Sequence, residues 1–245
     1  MRLFQRYALE ISSGSKLLYV TDNQFRDDFV DELTLSLWYR KMGWGGSDTD
    51  YGYLFDFSSN WLDSNDDGKA DTTNRVAFKV TKNEIAFHWG LFGYTYTSML
   101  PYKYDDKWHH YVVVMSGNKM TMYVDAEKFA ERVLSDKFVG FDFSSAGMSI
   151  SSYGSYSIGK IGEIRIYNRA LREQEVKYLY RGGHIVDGLR FWQIFDEDTV
   201  LIEDGIVKEV YDKIYGIRGV AYGTVRLTDG KDIDVGAPFV LVKKV

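Results

Sequence analysis

The chain contains no cysteine and only two prolines among its 245 residues. Without cysteine, it can form neither disulfide bonds nor thiolate metal sites, and it has no cysteine nucleophile. No segment approaches the roughly 20 consecutive apolar residues that a membrane-spanning helix needs, so we expect no membrane insertion. The net charge is −5, and no stripe of basic residues stands out. We therefore expect no nucleic-acid partner.

The first residues also lack a feature. The segment Met1–Arg6 opens without an apolar stretch of the kind found in secretory signals. We expect either that a signal has been removed or that the protein reaches its destination without one, as a virion component released by lysis would. The expected location is extracellular or on a virion surface, and a cytoplasmic location stays open.

Aromatic residues are abundant instead, with 19 Tyr, 15 Phe and 6 Trp. Apolar residues alternate along several segments; for example, Leu33, Leu35 and Leu37 fall on one face of an extended chain. This alternation predicts an all-β protein whose turns are made mostly by Gly, Asn and Asp. We predict one short helix near Ala170–Tyr180, stopped by the Gly182-Gly183 pair.

Four segments resemble, in order, the characteristic pieces of the laminin G-like and concanavalin A-like jelly rolls. These segments are Glu32–Met42, Asp105–Met115, Lys119–Phe129 and Gly162–Tyr180. The third departs from the family in carrying Ala126 where Gly is preferred. The resemblance covers roughly residues 1–182 and implies a two-sheet antiparallel jelly-roll sandwich. It says much less about function, because this fold hosts sugar binders, adhesion modules and hydrolases.

Residues 185–245 resemble the opening element of the same family, displaced to the C-terminus. An aromatic strand ending in Phe-Asp-Glu is followed by an Asp-x-x-x-Gly-x-x-Gly motif. We therefore divide the chain into a jelly roll over residues 1–184 and a β-element over 185–245, interpreted as permuted edge strands of the same sandwich. The alternative is a separate small β-appendage, although about 60 residues barely support a core of their own.

The segment from Asp63 to Asn74 is typical of the start of an EF-hand-type calcium loop and resembles dockerin loops. Calcium prefers hard oxygen ligands on a tightly curled backbone, and the predicted ligands are Asp63, Asn65, Asp67, the carbonyl of Lys69, and Asp71. Asn74 stands where the EF-hand has a bidentate Glu, so we expect a weak site with a Kd of roughly 10⁻⁴ to 10⁻³ M. The alternative is a solvated hairpin loop without metal.

Other potential metal and nucleotide sites are weaker. The family often carries a second structural calcium near the position of Glu163, but a companion carboxylate is missing here. His109 and His110 are adjacent on a predicted strand, so their imidazoles point to opposite faces and cannot share one ion. The segment 154–160 has the spelling of a P-loop but lacks both the following Ser or Thr and the helix.

Catalytic residues are not apparent in the sequence. Glycoside hydrolysis requires two carboxyl groups that flank the scissile bond. The hydrolase branch of the fold places them in Glu-x-Asp-x-x-Glu, which does not occur here. Asp232 and Asp234 have the alternation of the inner pair, but no Glu accompanies them. We expect no enzymatic activity, and an unrecognised glycosidase is the alternative.

Four aromatic residues in polar or Gly-rich surroundings are the predicted ligand-binding residues: Trp44, Trp61, Tyr94 and Tyr96. Exposed rings can stack on the apolar faces of sugars. We therefore interpret the chain as a non-catalytic lectin-like domain that recognises a carbohydrate or glycoprotein and would suit virion attachment. A Ca²⁺ ion in the loop is expected to order part of the binding site. The alternative is a structural or adhesion module that binds protein. The sequence leaves a homo-oligomer open.

Overall fold

The computed structural model describes residues 7–20, 32–47, 51–59, 75–82, 84–91, 94–101, 106–133, 146–152 and 157–229. These residues form seventeen strands and one helix. The strands are β1 (Tyr7–Ile11), β2 (Lys16–Val20), β3 (Glu32–Trp44), β4 (Tyr51–Ser59), β5 (Arg75–Thr81), β6 (Glu84–Leu91), β7 (Tyr94–Pro101), β8 (Trp108–Ser116), β9 (Lys119–Val124), β10 (Glu127–Val133), β11 (Ala146–Ser152), β12 (Ser157–Tyr167), β13 (Leu189–Gln193), β14 (Val200–Glu203), β15 (Ile206–Tyr211), β16 (Arg218–Tyr222) and β17 (Val225–Asp229). The helix α1 spans Glu173–Tyr180.

The strands pair into two antiparallel sheets. Sheet A has the order β10-β9-β8-β3-β12-β1-β17, with β13 also paired to β12. Sheet B has the order β14-β15-β16-β2-β11-β4-β5-β6-β7. Two antiparallel sheets with one short helix confirm the all-β jelly-roll sandwich predicted from the sequence.

The core lies between the two sheets. On β3, Leu33, Leu35 and Leu37 are buried in it, and from sheet B it receives side chains such as Phe55 and Phe78. The predicted alternation of β3 is therefore correct, since these positions face inward and the intervening residues face the opposite side of sheet A.

The outer face of sheet A is covered by α1. Val176 and Leu179 of the helix pack with Val112 and Val114 of β8 in a second apolar cluster. The helix begins at Glu173 rather than near residue 170, because Arg172 has an extended backbone with ψ 157°.

Both ends of α1 are stabilised by local hydrogen bonds. At its start, the Glu175 carboxylate accepts a hydrogen bond from the Arg172 amide at 2.8 Å. At its end, Gly182 adopts φ +81° and Gly183 donates its amide to the Tyr178 carbonyl at 2.8 Å. This is the stop predicted from the Gly pair, since a left-handed residue ends the helix most easily when it is glycine.

The two adjacent histidines occupy opposite sides of β8. The imidazole of His110 is buried on the outer face of sheet A, stacked on Trp38 at 4.9 Å, with its Nε2 2.8 Å from the Ser36 hydroxyl. His109 places its Nδ1 2.6 Å from a carboxylate oxygen of Asp125. The two rings therefore take part in separate interactions, as the alternation of a strand requires.

The strands after residue 185 are distributed over both sheets. β13 and β17 pair with β12 and β1 in sheet A, whereas β16 pairs with β2 in sheet B and brings β15 and β14 with it. The division of the chain at residues 184 and 185 stays a prediction.

The Asp-x-x-x-Gly-x-x-Gly motif forms the turn between β15 and β16. The Asp212 carboxylate is buried and accepts hydrogen bonds from the amides of Ile214, Tyr215 and Ile217 at 2.8 to 3.0 Å. Gly216 has φ +68°, a conformation that side chains disfavour. A Cβ on Gly219 would lie 2.7 Å from the ring of Tyr19. The structure therefore explains why the motif has Asp at position 212 and Gly at positions 216 and 219.

Candidate functional site

Trp44 is the last residue of β3 and lies at one end of the sandwich. Its ring is half-buried against the core, and its Nε1 donates a hydrogen bond to the Ser47 carbonyl at 2.9 Å. The ammonium of Lys41 lies 5.3 Å from the centre of the indole. Trp44 thus combines a partly exposed ring with a cation held beneath the surface.

Lys41 is a buried cation in the layer between the sheets. Only 1% of the residue is exposed, and its Nζ donates hydrogen bonds to the carbonyls of Thr81, at 2.9 Å, and Lys82. Burial lowers the pKa of the Lys41 ammonium from 10.5 to about 8. The amine therefore ties the end of β3 to the β5–β6 turn at an electrostatic cost.

Two tyrosines and a lysine lie beside this end on the outer face of sheet B. Tyr53 is in register with Lys79, and the ring centroids of Tyr51 and Tyr53 are 6.0 Å apart in an edge-to-face arrangement. The Lys79 ammonium lies 4.2 Å from the centre of the Tyr51 ring. Tyr51 and Lys79 are half-buried, whereas Tyr53 is buried. The pair formed by Tyr51 and Lys79 therefore presents an aromatic surface and a cation together.

A second tyrosine–lysine pair lies on the same face. On β2, Leu17 and Tyr19 are buried in the core, so Lys16 faces the outside of sheet B. Its register partner Tyr222 on β16 is 48% exposed, and the Lys16 ammonium lies 5.6 Å from the centre of that ring. Aromatic rings accompanied by cations thus occur at two places on this face.

Two acids of this face, Asp56 and Glu209, are separated from each other. Asp56 on β4 and Glu209 on β15 share one register row, which runs through Val220, Leu18 and Ser149. Four strand spacings separate them, which corresponds to about 19 Å. Glu209 is bound to Arg218 and Tyr211, and these contacts lower the pKa of its carboxyl to about 2. Asp56 is buried.

Two of the other predicted ligand-binding residues, Tyr94 and Tyr96, lie at the opposite end of sheet B. Tyr94 and Tyr96 belong to the edge strand β7, in register with Leu91 and Trp89. This end of β7 flanks the side of the sheet from which the β4–β5 connection leaves. Trp61 and the predicted calcium ligands Asp63, Asn65, Asp67, Lys69 and Asp71 fall within residues 60–74, outside the described residues, as do Asp232 and Asp234. The structure thus separates Trp44 from Tyr94 and Tyr96.

Glu163 takes part in an ion pair on the outer face of sheet A. Its carboxylate accepts hydrogen bonds from the Arg165 guanidinium, at 2.9 and 2.5 Å, and from the Trp192 indole at 2.5 Å. A guanidinium therefore supplies positive charge at the position where a second calcium was considered. Within the described ranges, no three or more His, Asp or Glu side chains gather closely enough to hold a metal ion.

The P-loop-like spelling is also part of sheet A. Gly159 and Lys160 lie within β12 and pair with β3 and β1. The strand continues to Tyr167, so no helix N-terminus is available at this point to receive phosphate. In the described part of the chain, the one helix has eight residues and is neither long nor apolar enough to cross a membrane.

Sequence reasoning missed Tyr51, Lys79, Lys16 and Tyr222. The alternation of Tyr51 and Tyr53 around Gly52 is a signal that two rings share a face. It could not show which lysine lies over a ring, because Lys79 and Lys16 come from neighbouring strands whose register depends on irregularities such as the bulge between Tyr53 and Phe55.

Comparisons with known proteins agree with this architecture. A protein from Bacteroides ovatus that has been assigned carbohydrate binding superposes with a TM-score of 0.64 at 17% identity, covering 92% of this chain and 60% of that longer chain. The heptameric SAP-like pentraxin from Limulus polyphemus superposes with a TM-score of 0.55 at 10% identity, and the match covers 94% of this chain and 98% of the pentraxin. The CBM40 module of a Ruminococcus gnavus IT-sialidase, solved with α2,3-sialyllactose, superposes with a TM-score of 0.51 at 13% identity. The match covers 74% of this chain and 100% of the module.

At these identities, the structural likenesses show the fold. No curated protein sequence matches the chain. Residues 13–177 match the profile of the Concanavalin A-like lectin/glucanases superfamily, which is well over half of the sequence. The chain therefore belongs to the concanavalin A-like lectin/glucanase superfamily.

Proposed function

We propose that the chain is a lectin-like domain without catalytic activity that binds glycans on the outer face of sheet B, centred on Tyr51. The observation that carries the proposal is the half-buried Tyr51 ring, which lies beside Tyr53 and has the Lys79 ammonium 4.2 Å from its centre. A sugar has both apolar C–H faces and polar hydroxyl groups. A ring beside a hydrogen-bond donor matches both of them.

The surroundings of the pair favour binding by a preformed surface. Tyr53 is 4% exposed, and the neighbouring Ala77 is fully buried, so the base of the site is packed. Trp44 is at the same end of the sandwich, linked through Lys41 to the carbonyl of Thr81, which is the register partner of Tyr51. A ligand at Tyr51 therefore meets side chains whose positions are already held, which reduces the entropy lost on binding.

Catalysis by the pair Asp56 and Glu209 is disfavoured by their spacing. Paired carboxyls of glycosidases lie about 5 to 9.5 Å apart. Asp56 and Glu209 are separated by four strand spacings, about 19 Å. Arg218 also holds Glu209 in an ion pair. This arrangement supports binding without hydrolysis.

We also propose a biological setting and a metal for this function. One of the domains in the comparisons, the CBM40 module, was solved with bound α2,3-sialyllactose. A virion or cell-surface attachment role, with a carbohydrate or glycoprotein partner, is consistent with such a domain. Calcium bound by the loop 63–74 would order the opposite end of sheet B, where Tyr94 and Tyr96 lie.

The experiment is a glycan array followed by titration calorimetry with the sugar that binds best, in calcium and in chelator. Tyr51→Ala should weaken binding at least about tenfold, roughly 1.4 kcal/mol, because the stacking surface is lost. The matched control is Tyr178→Ala, which removes a tyrosine that is 54% exposed on α1, over the other sheet. The control should bind as the wild type does.

Three outcomes would contradict the proposal. They are the absence of binding to any glycan, equal losses in the two variants, and release of reducing sugar from the bound glycan. If chelator abolishes sugar binding and Tyr51→Ala leaves it unchanged, the sugar binds at the calcium-loop end of sheet B instead.

A further inference from the structure

We infer that the glycan bound on sheet B is an anionic oligosaccharide that lies across the strands and contacts both tyrosine–lysine pairs. The inference rests on the proposed function and specifies the ligand of that same face. The two pairs are Tyr51 with Lys79, on β4 and β5, and Tyr222 with Lys16, on β16 and β2.

The first step is that both pairs lie on one face, with their two lysines nearly in one row. Lys16 is the register partner of Tyr222, and Tyr53 is the register partner of both Lys79 and Ser152 of β11. Since Leu17 is in register with Ile150, Lys16 is offset along β11 by about one residue from the row of Lys79 and Tyr53. Tyr51 lies two residues further along β4. A path that crosses the strands obliquely therefore passes over both pairs.

The second step is their separation. Three strand spacings separate β16 from β4, and three separate β2 from β5. With about 4.8 Å between neighbouring strands, each distance is about 14 Å. A single sugar ring cannot span that distance, so a ligand that uses both pairs must be an oligosaccharide.

The third step is charge. Among the described residues, no carboxylate lies within ion-pair distance of the Lys16 or Lys79 ammonium, and the contact that each makes is with a tyrosine ring. By contrast, Arg218 on the same face is neutralised by Glu209. Asp56 is buried and lies further along β4 than Tyr53. Two unneutralised ammonium groups in one row select a ligand with carboxylate or sulfate groups.

The test is calorimetric titration of the full chain with three oligosaccharide series of matched length: oligogalacturonides, sulfated galactans and neutral galactans. We expect the acidic series to bind at least about tenfold more tightly than the neutral one, and the advantage to shrink as salt is raised. The two acidic series distinguish carboxylate from sulfate as the preferred group.

The variants separate the two pairs. Lys79→Gln should weaken binding of short and long acidic chains, whereas Lys16→Gln should weaken binding of chains long enough to reach β2 and leave the disaccharide unchanged. Lys16→Arg should bind the long chains as the wild type does, since it keeps the positive charge. Lys128→Gln is the control, because Lys128 lies on β10 of sheet A and is paired with Glu131.

Two results would overturn the inference while leaving the proposed function intact. One is equal affinity for neutral and acidic chains, with binding still lost in Tyr51→Ala. The other is Lys16→Gln having no effect on long acidic chains. Absence of binding to all three series and to every array glycan would overturn both.

Discussion

Lys41 makes the free energy of unfolding of this protein vary with pH in the alkaline range. It is 1% exposed, and burial lowers its pKa to about 8, although two carbonyl oxygens and the ring of Trp44 favour the charged ammonium. In the unfolded chain, a lysine has a pKa near 10.5. A difference of this size corresponds to about 3 kcal/mol between the two protonation states.

The sign follows from proton binding. Below about pH 8, both the folded and the unfolded chain bind the proton, and the folded protein carries the full cost of the buried charge. Between about pH 8 and 10.5, the unfolded chain binds the proton and the folded chain does not, so the free energy of unfolding rises with pH. Above that range, Lys41 makes no further difference. The predicted gain over the window is up to about 3 kcal/mol.

The assay is urea unfolding of the wild type and of Lys41→Met at several values between pH 7 and 10.5. Met keeps most of the length of the side chain and has no ammonium, so other titrating groups cancel in the difference between the two proteins. The free energy of unfolding of the wild type, relative to the variant, should rise by about 3 kcal/mol across the window. Lys208→Met, the control for removal of an exposed lysine, should keep the pH dependence of the wild type. A relative stability that stays flat or falls between pH 8 and 10.5 would refute the reasoning.

Three further predictions concern stability. Glu175→Gln should lower the free energy of unfolding at pH 7 by about 2 kcal/mol, because Arg169 and the Arg172 amide hold the pKa of this carboxyl at about 2. The difference between the two proteins should vanish as pH falls from about 4.5 through 2, which circular dichroism in acid would follow. Asp212→Ala should cost about 3 kcal/mol in urea unfolding, since it leaves backbone amides of the β15–β16 turn without their acceptor, and an unchanged midpoint would contradict that role. Millimolar calcium should raise the melting temperature by about 2 to 4 °C in the wild type and not in Asp67→Ala, and calorimetry without a heat of calcium binding would support the metal-free loop.

Features held by local interactions could be predicted from the sequence. The alternation along β3, the glycine stop of α1 and the separate environments of His109 and His110 depend on residues close in the chain. The Asp212 motif was recognised by resemblance, and the structure gives its physical reason in three backbone amides and one left-handed glycine.

Features that depend on strand register could not be predicted. The bulge between Tyr53 and Phe55 decides that Tyr53 lies opposite Lys79. Similarly, the alternation of Leu37, Tyr39 and Lys41 shows that the lysine faces inward. It does not show that Thr81 and Lys82 supply carbonyls to receive it. Tyr53 and Lys79 are 26 residues apart, and Lys41 and Thr81 are 40 residues apart, so no local pattern connects them.

The pairing of the first described strands with the last ones has a consequence for how the chain folds. Ala8 of β1 is in register with Thr228 of β17, and Leu17 of β2 is in register with Ala221 of β16, so each sheet joins segments about 200 residues apart. Closing such long loops costs entropy before any contact compensates for it, which slows folding. During synthesis, β1 and β2 each keep an unpaired edge until β16 and β17 have emerged from the ribosome. Until then the nascent chain presents two open strand edges, which are prone to pair with other chains.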